Sequence, residues 1–416
     1  MTRAPLPVVS LEECVDLLAG FAFKSQYFTD KEEDIPLVKG ENVSQGHILW
    51  GISKRWPFSE WESLAKYQLR AGDVVVAMDR PWVPAGLKWA YIREDHPKSL
   101  LVQRCARMRS KTPKLDQNFL RFVIGGQGFE SYVKPITTGV NIPHISGKQI
   151  LDYKFPLPPL AVQQRIAGIL SAYDELIENS QRRIKILEAM ARGLYREWFV
   201  HFRFPGHESH PRVASAVGEI PEGWEVKQLT DAVVVNPRVV VPRDGEKPFV
   251  PMGCLSTDSM LISDVESRTG NSGAKFQNGD TLFARITPCL ENGKTGYVQF
   301  LPDSTAVAFG STEFIVLRSK TVTPEYVYCL SRSDSFRETA IKSMSGATGR
   351  QRVREECFEN IQIAQPPQLL LKNFSAIVAP SFRLIRSLHL QIQNLRRTRD
   401  MLLPRLLSGQ IEVEAT

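Results

Sequence analysis

The fold is decided by a stretch near the middle of the chain, Leu157-Pro158-Pro159-Leu160-Ala161-Val162-Gln163-Gln164-Arg165-Ile166. From its last residue onward a mostly apolar series follows at alternating intervals of four and three residues. The series is Ile166, Leu170, Tyr173, Ile177, Ser180, Ile184, Leu187, Ala191, Leu194 and Trp198. Its mean period of 3.5 residues keeps one stripe of a helix against a partner helix over many turns. We therefore predict a helix of about 40 residues, roughly 60 Å long at 1.5 Å per residue.

The same pattern recurs in the second half of the chain, at an offset of 208 residues. Pro158-Pro159 is repeated as Pro366-Pro367, and eight of the ten series positions are again apolar. The second series is Phe374, Val378, Ser381, Ile385, Leu388, Ile392, Leu395, Arg399, Leu402 and Leu406. Pro380 and Pro404 fall inside it, so we expect this helix to be kinked or to begin late. Two long helices with narrow apolar faces are expected to pack on each other as an antiparallel pair, and two ordinary core helices of separate domains are the alternative.

Shorter repeats precede each predicted helix. They pair residues 72–77 with 279–284 (Gly-Asp and then an apolar strand), 36–38 with 248–250, and 137–139 with 347–349. Between these marks the chain consists of short β-branched or aromatic stretches with Gly, Pro and Asn breaks, plus predicted helices at 117–133 and 324–342. Each half is therefore a mixed globule followed by a long helix.

These repeats predict an α+β fold class with a pseudo-twofold internal repeat. Two similar mixed α/β domains, 1–156 and 204–364, are separated by two long helices, 157–203 and 365–409, packed as an antiparallel coiled coil, and a tail follows at 410–416. The polar, Pro- and Gly-containing run at 204–211 is the expected linker between the halves.

The composition limits the class of protein. A chain of 416 residues is long enough for two to four domains of about 100–200 residues each. No apolar run approaches the roughly 18–20 residues of a membrane span, and the N-terminal region reaches the acidic pair Glu12-Glu13 before any apolar segment, so we expect a cytoplasmic protein without membrane contact. Six scattered cysteines without a Cys-x-x-Cys pair are expected to be reduced thiols.

The net charge favours a polyanionic partner without locating its binding surface. The formal charge is +7, and residues 370–407 alone carry +6 of it, so the rest of the chain is close to neutral. The basic excess of the second helix therefore does not mark a nucleic-acid surface by itself.

Motifs for catalysis are missing from the sequence. The two Pro-Pro pairs lack the polar residue before them and the aromatic residue after them that an amino-methyltransferase uses on a flipped base. Pro302-Asp303 and Glu313-Phe314-Ile315 resemble a nuclease pattern, but Ile315 stands where a lysine is needed. No phosphate-binding loop or nucleophile elbow occurs, and the histidines at 201, 207 and 210 lie in a polar run that is a poor metal site. These absences favour a binding protein.

The entry to the first helix resembles the central region of the specificity subunits of type I restriction-modification systems. The resemblance rests on residues 157–174, the Thr-Gly-Val-Asn-Ile-Pro-His-Ile segment at 138–145, the two Gly-Asp strands and the ending Pro404-Arg405-Leu406-Leu407-Ser408-Gly409. It implies two target recognition domains that bind double-stranded DNA. The partners it implies are two modification (methyltransferase) subunits and the restriction (translocase/nuclease) subunits. It further implies no cofactor in this chain, with S-adenosylmethionine, ATP and Mg²⁺ on the partner subunits.

Polar residues in loops after the strands are the candidate DNA-binding residues, because Arg suits guanine, and Asn or Gln suits adenine, in the major groove. In the first half they are Lys24, Lys39, Asn42, Arg80, Thr138 and Asn141, and in the second half Lys275, Arg285, Thr287, Lys294, Arg350, Gln351 and Arg352. Since the two halves differ in sequence, we expect them to recognise different halves of an asymmetric, interrupted target, with the long helices setting the spacer.

Three aromatic residues near the end of the first helix, Tyr195, Trp198 and Phe199, are candidates for docking the methyltransferase subunits. The alternative is that they close the helix bundle. For the whole protein two other functions remain open: a stand-alone DNA methyltransferase or nuclease with diverged motifs, and a protein-binding scaffold.

Overall fold

The computed structural model describes residues 6–84, 86–138, 143–347 and 349–413. The chain divides into two compact units. The first unit is Met1–Leu176 with Asn394–Thr416, and the second unit is Ile177–Gln393. Each of the two long helices contributes residues to both units. The predicted α+β class with two long helices is confirmed.

The first unit contains two main sheets. Its strands are β1 (Val8–Ser10), β2 (Val15–Ala19), β3 (Ile35–Val38), β4 (Gln45–Gly46), β5 (Arg55–Trp56), β6 (Gln68–Leu69), β7 (Val74–Ala77), β8 (Trp82–Val83), β9 (Gly86–Leu87), β10 (Trp89–Tyr91), β11 (Ser99–Leu101), β12 (Cys105–Ser110) and β13 (Lys154–Pro156). One sheet has the order β2-β12-β7-β10-β4 and the other β5-β3-β11-β6, while β1 pairs with β13 and β8 with β9. Every residue of β3 and β7 is buried, as continuous apolar runs predict.

Four short helices complete this part of the chain: α1 (Leu11–Cys14), α2 (Gln117–Gly125), α3 (Gln127–Ile136) and α4 (Gly147–Leu151). The single helix predicted at 117–133 is therefore wrong, because Gly126 has an extended backbone that separates α2 from α3. Asp116 begins α2, where its carboxylate accepts a hydrogen bond from the amide of Phe119 at 2.8 Å. The first long helix, α5, spans Leu160–Tyr195 and continues as a π-helical turn over Arg196–Val200.

The second unit repeats most of this topology, with four strands in place of five in one of the two main sheets. Its strands are β14 (Arg212–Ser215), β15 (Gly218–Pro221), β16 (Glu225–Gln228), β17 (Val233–Val235), β18 (Lys247–Val250), β19 (Glu266–Arg268), β20 (Ala274–Phe276), β21 (Thr281–Ala284), β22 (Thr295–Tyr297), β23 (Ala308–Gly310), β24 (Phe314–Ser319) and β25 (Gln362–Gln365). The sheets β17-β24-β21-β22 and β19-β18-β23-β20 correspond to the two main sheets of the first unit, and β16 pairs with β25 as β1 does with β13. The predicted internal repeat is thus confirmed.

The helices of the second half are α6 (Leu229–Ala232), α7 (Pro324–Ser331), α8 (Asp334–Lys342) and the second long helix, α9 (Gln368–Leu407). The helix predicted at 324–342 is broken between α7 and α8, at the place that matches the break between α2 and α3. α9 begins directly after Pro367, so the prediction that it begins late is wrong. Pro380 and Pro404 both lie within it at exposed positions.

The repeated Gly-Asp pair has the same structural role in both units. Gly72 and Gly279 adopt left-handed φ angles of 93° and 89°, which favour glycine. The following carboxylates, Asp73 and Asp280, are buried, and each pairs with an arginine on the neighbouring strand. Arg318 donates to Asp280 through Nε at 2.7 Å and Nη2 at 2.6 Å. The motif therefore stabilises a turn and two strands.

The two long helices run antiparallel within each unit. In the first unit, Ile166 and Leu170 near the start of α5 share a core with Leu406 near the end of α9. In the second unit, Trp198 directly after α5 lies 6.1 Å, between ring centroids, from Phe374 near the start of α9. The predicted series residues of both helices are buried or half-buried throughout.

Gln163, in the Gln-Gln pair of the helix entry, is fully buried and holds the start of α5 in place. Its Oε1 accepts from the amide of Asp116 at 2.9 Å, and its Nε2 donates to the carbonyls of Lys114 and Pro158. The matching residue in α9 is Leu371, which is also fully buried. An apolar contact thus replaces the polar one in the second copy.

The expected linker is packed against the second unit. Phe204 is buried, and its ring lies 5.7 Å from that of Trp224 and 5.3 Å from the ring of His210, measured between centroids. The limits predicted for the domains, 1–156, 157–203, 204–364 and 365–409, stay predictions.

All six cysteines are free thiols, and four of them are buried. Burial raises the pKa of Cys14 to about 11.

None of the helices described here combines the length and apolar character needed to cross a bilayer. Within the described ranges, no three His, Cys, Asp or Glu side chains lie together as metal ligands would.

Candidate nucleic-acid interface

Three backbone segments meet at the end of β7 in the first unit. We call this arrangement of residues 78–80, Thr138 and residues 143–145 the first junction. His144 pairs with Thr138 through two backbone hydrogen bonds, of 2.7 and 3.0 Å, and forms a bridge with Asp79 on the other side. Arg80 N donates to the carbonyl of Pro143 at 2.7 Å, and Ile145 N donates to Met78 at 2.9 Å.

The second unit repeats this arrangement after β21. The second junction comprises residues 285–287, Ser345 and residues 351–353. Arg352 pairs with Ser345 through two backbone hydrogen bonds of 3.0 Å and forms a bridge with Ile286. Thr287 N donates to Gln351 at 3.0 Å and Val353 N donates to Arg285 at 2.8 Å. The two junctions thus share four backbone hydrogen bonds at offsets of 207 and 208 residues but differ in every side chain that we predicted to bind DNA.

The first junction carries an ionic cluster. His144 Nδ1 lies 2.5 Å from Asp79 Oδ1, and Arg104 forms an ion pair with the other oxygen of the same carboxylate. Arg80 is exposed, and its positive φ of 45° turns the chain there. Thr138 is exposed as well, and Asn141 lies outside the described residues.

The second junction carries two arginine–carboxylate pairs. Arg352 binds Glu313 through Nε at 2.9 Å and Nη2 at 2.6 Å, and these hydrogen bonds hold the pKa of Glu313 below its ordinary value. Arg285 Nη1 donates to Glu355 at 2.7 Å, and Asn236 donates to the other oxygen of Glu355 at 2.7 Å.

Further candidate residues of the second half surround this junction. Thr287 Oγ1 accepts from the amide of Gln351 at 3.0 Å, and Arg350 is exposed directly before it. Lys275 and Arg285 line an open groove of about 490 Å³, whose apolar floor includes Phe314 and Val316. Lys294 donates to the carbonyl of Met252 at 3.0 Å. The structure therefore brings Arg285, Thr287, Gln351 and Arg352 together and places Lys275 beside them.

The other candidates of the first half lie in different environments. Lys24 is exposed at the start of a short 3-10 turn. Lys39 is half-buried, where it pairs with Glu41 at 2.8 Å and lies over the ring of Phe28. Asn42 is 0% exposed, and its amide binds Leu37, Ser53 and Lys39. Its amide is thus held within the fold, and its role as a DNA-binding residue stays a prediction.

The three aromatic residues predicted for docking are not on an outer face. Tyr195, Trp198 and Phe199 are only 5–7% exposed and pack on Phe374, with Tyr195 and Phe199 also against Tyr326. They close the helix pair, which was the alternative. Burial raises the pKa of Tyr326 to about 12.

Exposed apolar residues on the two long helices were missed by sequence reasoning. In the second unit they include Ile186 and Met190 on α5 and Ile377 and Leu384 on α9. Met190, Ile377 and Leu384 each directly precede a residue of the buried series. In an antiparallel pair of helices these positions lie on the same side of the buried contact between the two helices. Their position in the heptad could therefore have predicted this exposed apolar face.

Sequence comparison identifies relatives of known class. Residues 7–189 match the family described as type I restriction modification DNA specificity domain. The MjaIX specificity subunit of Methanocaldococcus jannaschii, a type I restriction enzyme subunit, is 28% identical over 309 residues, which cover 71% of this chain and 69% of that protein. The EcoEI specificity subunit of Escherichia coli is 35% identical over 156 residues, 36% of this chain and 26% of that protein.

Structural comparison identifies a solved structure with the same fold. The crystal structure of a type I restriction-modification S subunit from M. genitalium covers 98% of this chain and 96% of its own, with a TM-score of 0.58 at 13% identity, which shows a shared fold. The fold and the paired junctions define a protein with two copies of one domain architecture. Residues 7–189 of the chain thus resemble the DNA specificity domain of type I restriction-modification systems.

Proposed function

We propose that this chain is the sequence-specific DNA-binding specificity subunit of a type I restriction-modification complex and that it has no catalytic activity of its own. Each unit reads one half of an asymmetric, interrupted target in double-stranded DNA. The two long helices set the spacer between the half-sites and dock the methyltransferase subunits. The names of the relatives support this role.

The observation that carries the proposal is the pair of junctions. A single backbone arrangement occurs twice, and it bears Asp79 and His144 in one unit and Arg285, Gln351 and Arg352 in the other. Direct readout needs side chains with different donors and acceptors on a fixed backbone, because each base pair shows its own pattern in the major groove. The two junctions, which have the same backbone arrangement but different side chains, therefore suit two different half-sites. Exposed lysines such as Lys24 would add salt-dependent phosphate contacts.

The exposed apolar residues of the helices support the docking role. Ile186 and Met190 are four residues apart and therefore neighbours on the surface of α5, and Ile377 and Leu384 lie seven apart on one face of α9. Apolar side chains exposed on one side of a helix pair are typical of a surface that a partner helix covers. We place the methyltransferase contact there, in place of the buried Tyr195, Trp198 and Phe199.

The proposed assembly assigns the chemistry to the partners. Two modification subunits would bind S-adenosylmethionine, and restriction subunits would use ATP and Mg²⁺ for translocation and cleavage. Within this chain the described residues have only to recognise and position DNA. The complex would act on DNA in the cytoplasm.

A selection experiment tests the proposal. The full-length chain, alone and with its methyltransferase subunit, is incubated with a pool of random DNA duplexes, and the retained duplexes are sequenced. We expect enrichment of one split sequence. Replacing residues 1–155 with those of a relative should change one half of that sequence and leave the other. Retention without any sequence preference would contradict the proposal.

A further inference from the structure

We infer that His144 and Arg352 are equivalent specificity-determining residues, one in each unit, and that they read base edges of opposite hydrogen-bonding character. This inference rests on the proposed function, because it takes the two junctions to be the surfaces that meet DNA. It adds His144, which the sequence did not single out, and assigns a class of base to each residue.

The two residues occupy the same backbone position. His144 and Arg352 are each paired by two backbone hydrogen bonds to one segment, and each forms a bridge to the segment that follows β7 or β21. Main-chain atoms alone hold these positions, so the side chain can differ without loss of the fold. Both side chains are accessible, with 40% of His144 and 50% of Arg352 exposed.

A carboxylate orients each side chain but comes from a different segment. Asp79 belongs to the first junction itself, whereas Glu313 precedes β24. The residue that corresponds to Glu313 in the first unit is Arg104, since Met78 N donates to the carbonyl of Arg104 as Arg285 N does to that of Glu313. The carboxylate of Glu313 in the second unit is therefore replaced by the guanidinium of Arg104 in the first. The two junctions have the same backbone arrangement but different charges around it.

The orientation of Arg352 leaves donors for guanine. Its pair with Glu313 uses the edge formed by Nε and Nη2. Among the described residues nothing accepts from Nη1, so Nη1 and the second hydrogen of Nη2 point away from the carboxylate as a two-donor edge. Guanine presents two acceptors, O6 and N7, in the major groove, and this pair suits a two-donor arginine edge.

The orientation of His144 leaves an acceptor. A carboxylate only accepts hydrogen bonds, so Nδ1 carries the proton in the contact with Asp79. In the tautomer with one proton, on Nδ1, the lone pair lies on Nε2, for which no described residue supplies a donor. The major-groove donors are the amino groups of adenine N6 and cytosine N4. His144 therefore selects adenine or cytosine, and Arg352 selects guanine.

The test uses the complex of the full-length chain with its methyltransferase subunit and the same random duplex pool. Wild type is compared with Arg352→Ala, Arg352→Gln and His144→Ala. We expect each Arg352 variant to lose the preference for one guanine by about tenfold or more. His144→Ala should lose the preference for one adenine or cytosine in the other half-site. Arg352→Gln keeps a side-chain amide donor at this position without the two-donor guanidinium edge, so it tests the guanine contact if Arg352→Ala unfolds.

Matched controls come from elsewhere in the chain. Arg268→Ala removes an arginine that is also 50% exposed and also held by a carboxylate, Glu266 at 2.6 Å, and His207→Ala removes a histidine beside Glu208. Both controls should keep the complete wild-type sequence preference. An unchanged preference in the test variants, or weakening that is uniform over all sequences as a phosphate contact would give, overturns this inference alone. A wild-type complex that enriches no sequence overturns the proposed function together with it.

Discussion

Asp174 of α5 accepts a hydrogen bond from Arg399 of α9, with 2.7 Å between Oδ1 and Nη1. Arg121 of α2 donates to the other oxygen of the same carboxylate at 3.0 Å. Arg399 falls on the apolar series of α9, where an unpaired charge would be costly. Asp174 neutralises it and at the same time connects both long helices to the globular part of the first unit.

Removing Asp174 should therefore destabilise the first unit. Asp174→Ala removes the carboxylate that Arg121 and Arg399 share, and we expect the free energy of unfolding to fall by about 2–3 kcal/mol. Urea unfolding followed by circular dichroism measures it. Asp400→Ala is the control, because Asp400 also pairs with Arg399 but is largely exposed, and its loss should cost less than about 1 kcal/mol. Equal losses for the two variants would contradict this role.

Glu188 should be the corresponding connection in the second unit. This carboxylate on α5 is buried and accepts from Tyr328 Oη at 2.5 Å, Ser259 Oγ at 3.1 Å and Met260 N at 2.9 Å. Glu188→Ala strands all three donors, and we expect a loss of about 3 kcal/mol in urea unfolding. Glu175→Ala, at an exposed position of the same helix, should change stability by less than about 0.5 kcal/mol. A stable Glu188→Ala protein would show that these hydrogen bonds are unimportant.

The pair of Glu313 with Arg352 predicts a dependence of stability on pH. Because the folded state lowers the pKa of Glu313 from its ordinary 4.5, the pair contributes fully above that value and its contribution is lost as the pH falls through the lowered folded pKa. We expect Glu313→Gln to be less stable than wild type at pH 7, by under about 1 kcal/mol, and the difference to close towards pH 3. Thermal unfolding across this range measures it, with the exposed Glu359→Gln as the control. A difference that grows on acidification would have the wrong sign.

The proposed role of the helices predicts the effect of shortening both of them. Residues 178–184 of α5 lie between Asp174 and Glu188, and residues 388–394 of α9 lie between Phe382 and Arg399. Deleting both heptads keeps the apolar series in phase and removes about 10 Å of helix. At about 3.4 Å per base pair, the spacer of the selected target should shorten by about three base pairs, with both half-sites unchanged. Altered half-sites, or an unchanged spacer, would count against the proposal.

The exposed apolar face of the helices predicts a docking defect. Met190→Lys and Ile377→Lys place a charge where the partner helix is proposed to pack, and each should weaken binding of the methyltransferase subunit by about tenfold or more. Pull-down or calorimetry with that subunit measures it. Ala189→Lys adds the same charge one residue away, at an exposed position on another side of α5, and should bind normally. Wild-type affinity in both test variants would place the contact elsewhere.

Elements specified by local pattern were predictable from the sequence. The 3.5-residue period identified α5 and α9, and the Gly-Asp turns identified the central strands β7 and β21. The heptad pattern depends only on residues close together in the sequence. A buried strand is likewise predicted by a continuous run of apolar residues. By contrast, a helical period does not report the breaks between α2 and α3 and between α7 and α8, where Gly126 and Ser333 have extended backbones.

Side-chain environment was the harder part of the site. Whether Tyr195 faces solvent depends on Tyr326 of α7, more than 100 residues away, and whether Asn42 is accessible depends on Ser53. The match of Thr138 to the chain around Thr348 was also shifted, because the hydrogen bonds make Ser345 its counterpart. A loop that is one residue longer in the second junction hid the correspondence of His144 with Arg352, although their offset of 208 equals that of the Pro-Pro pairs.

The first unit is assembled from both ends of the chain, since Leu402, Leu403 and Leu406 of α9 pack into the core that contains Ile166 and Leu170 of α5. On the ribosome these leucines emerge more than 200 residues after α5 begins, a delay of roughly 10 to 40 seconds at usual rates of synthesis. Until then the core of the first unit lacks the side chains that α9 contributes to it. By that time the whole second unit, Ile177–Gln393, has already been synthesised. The part that is translated first is therefore the part that closes last, and its open apolar surface is the one that a chaperone would have to protect.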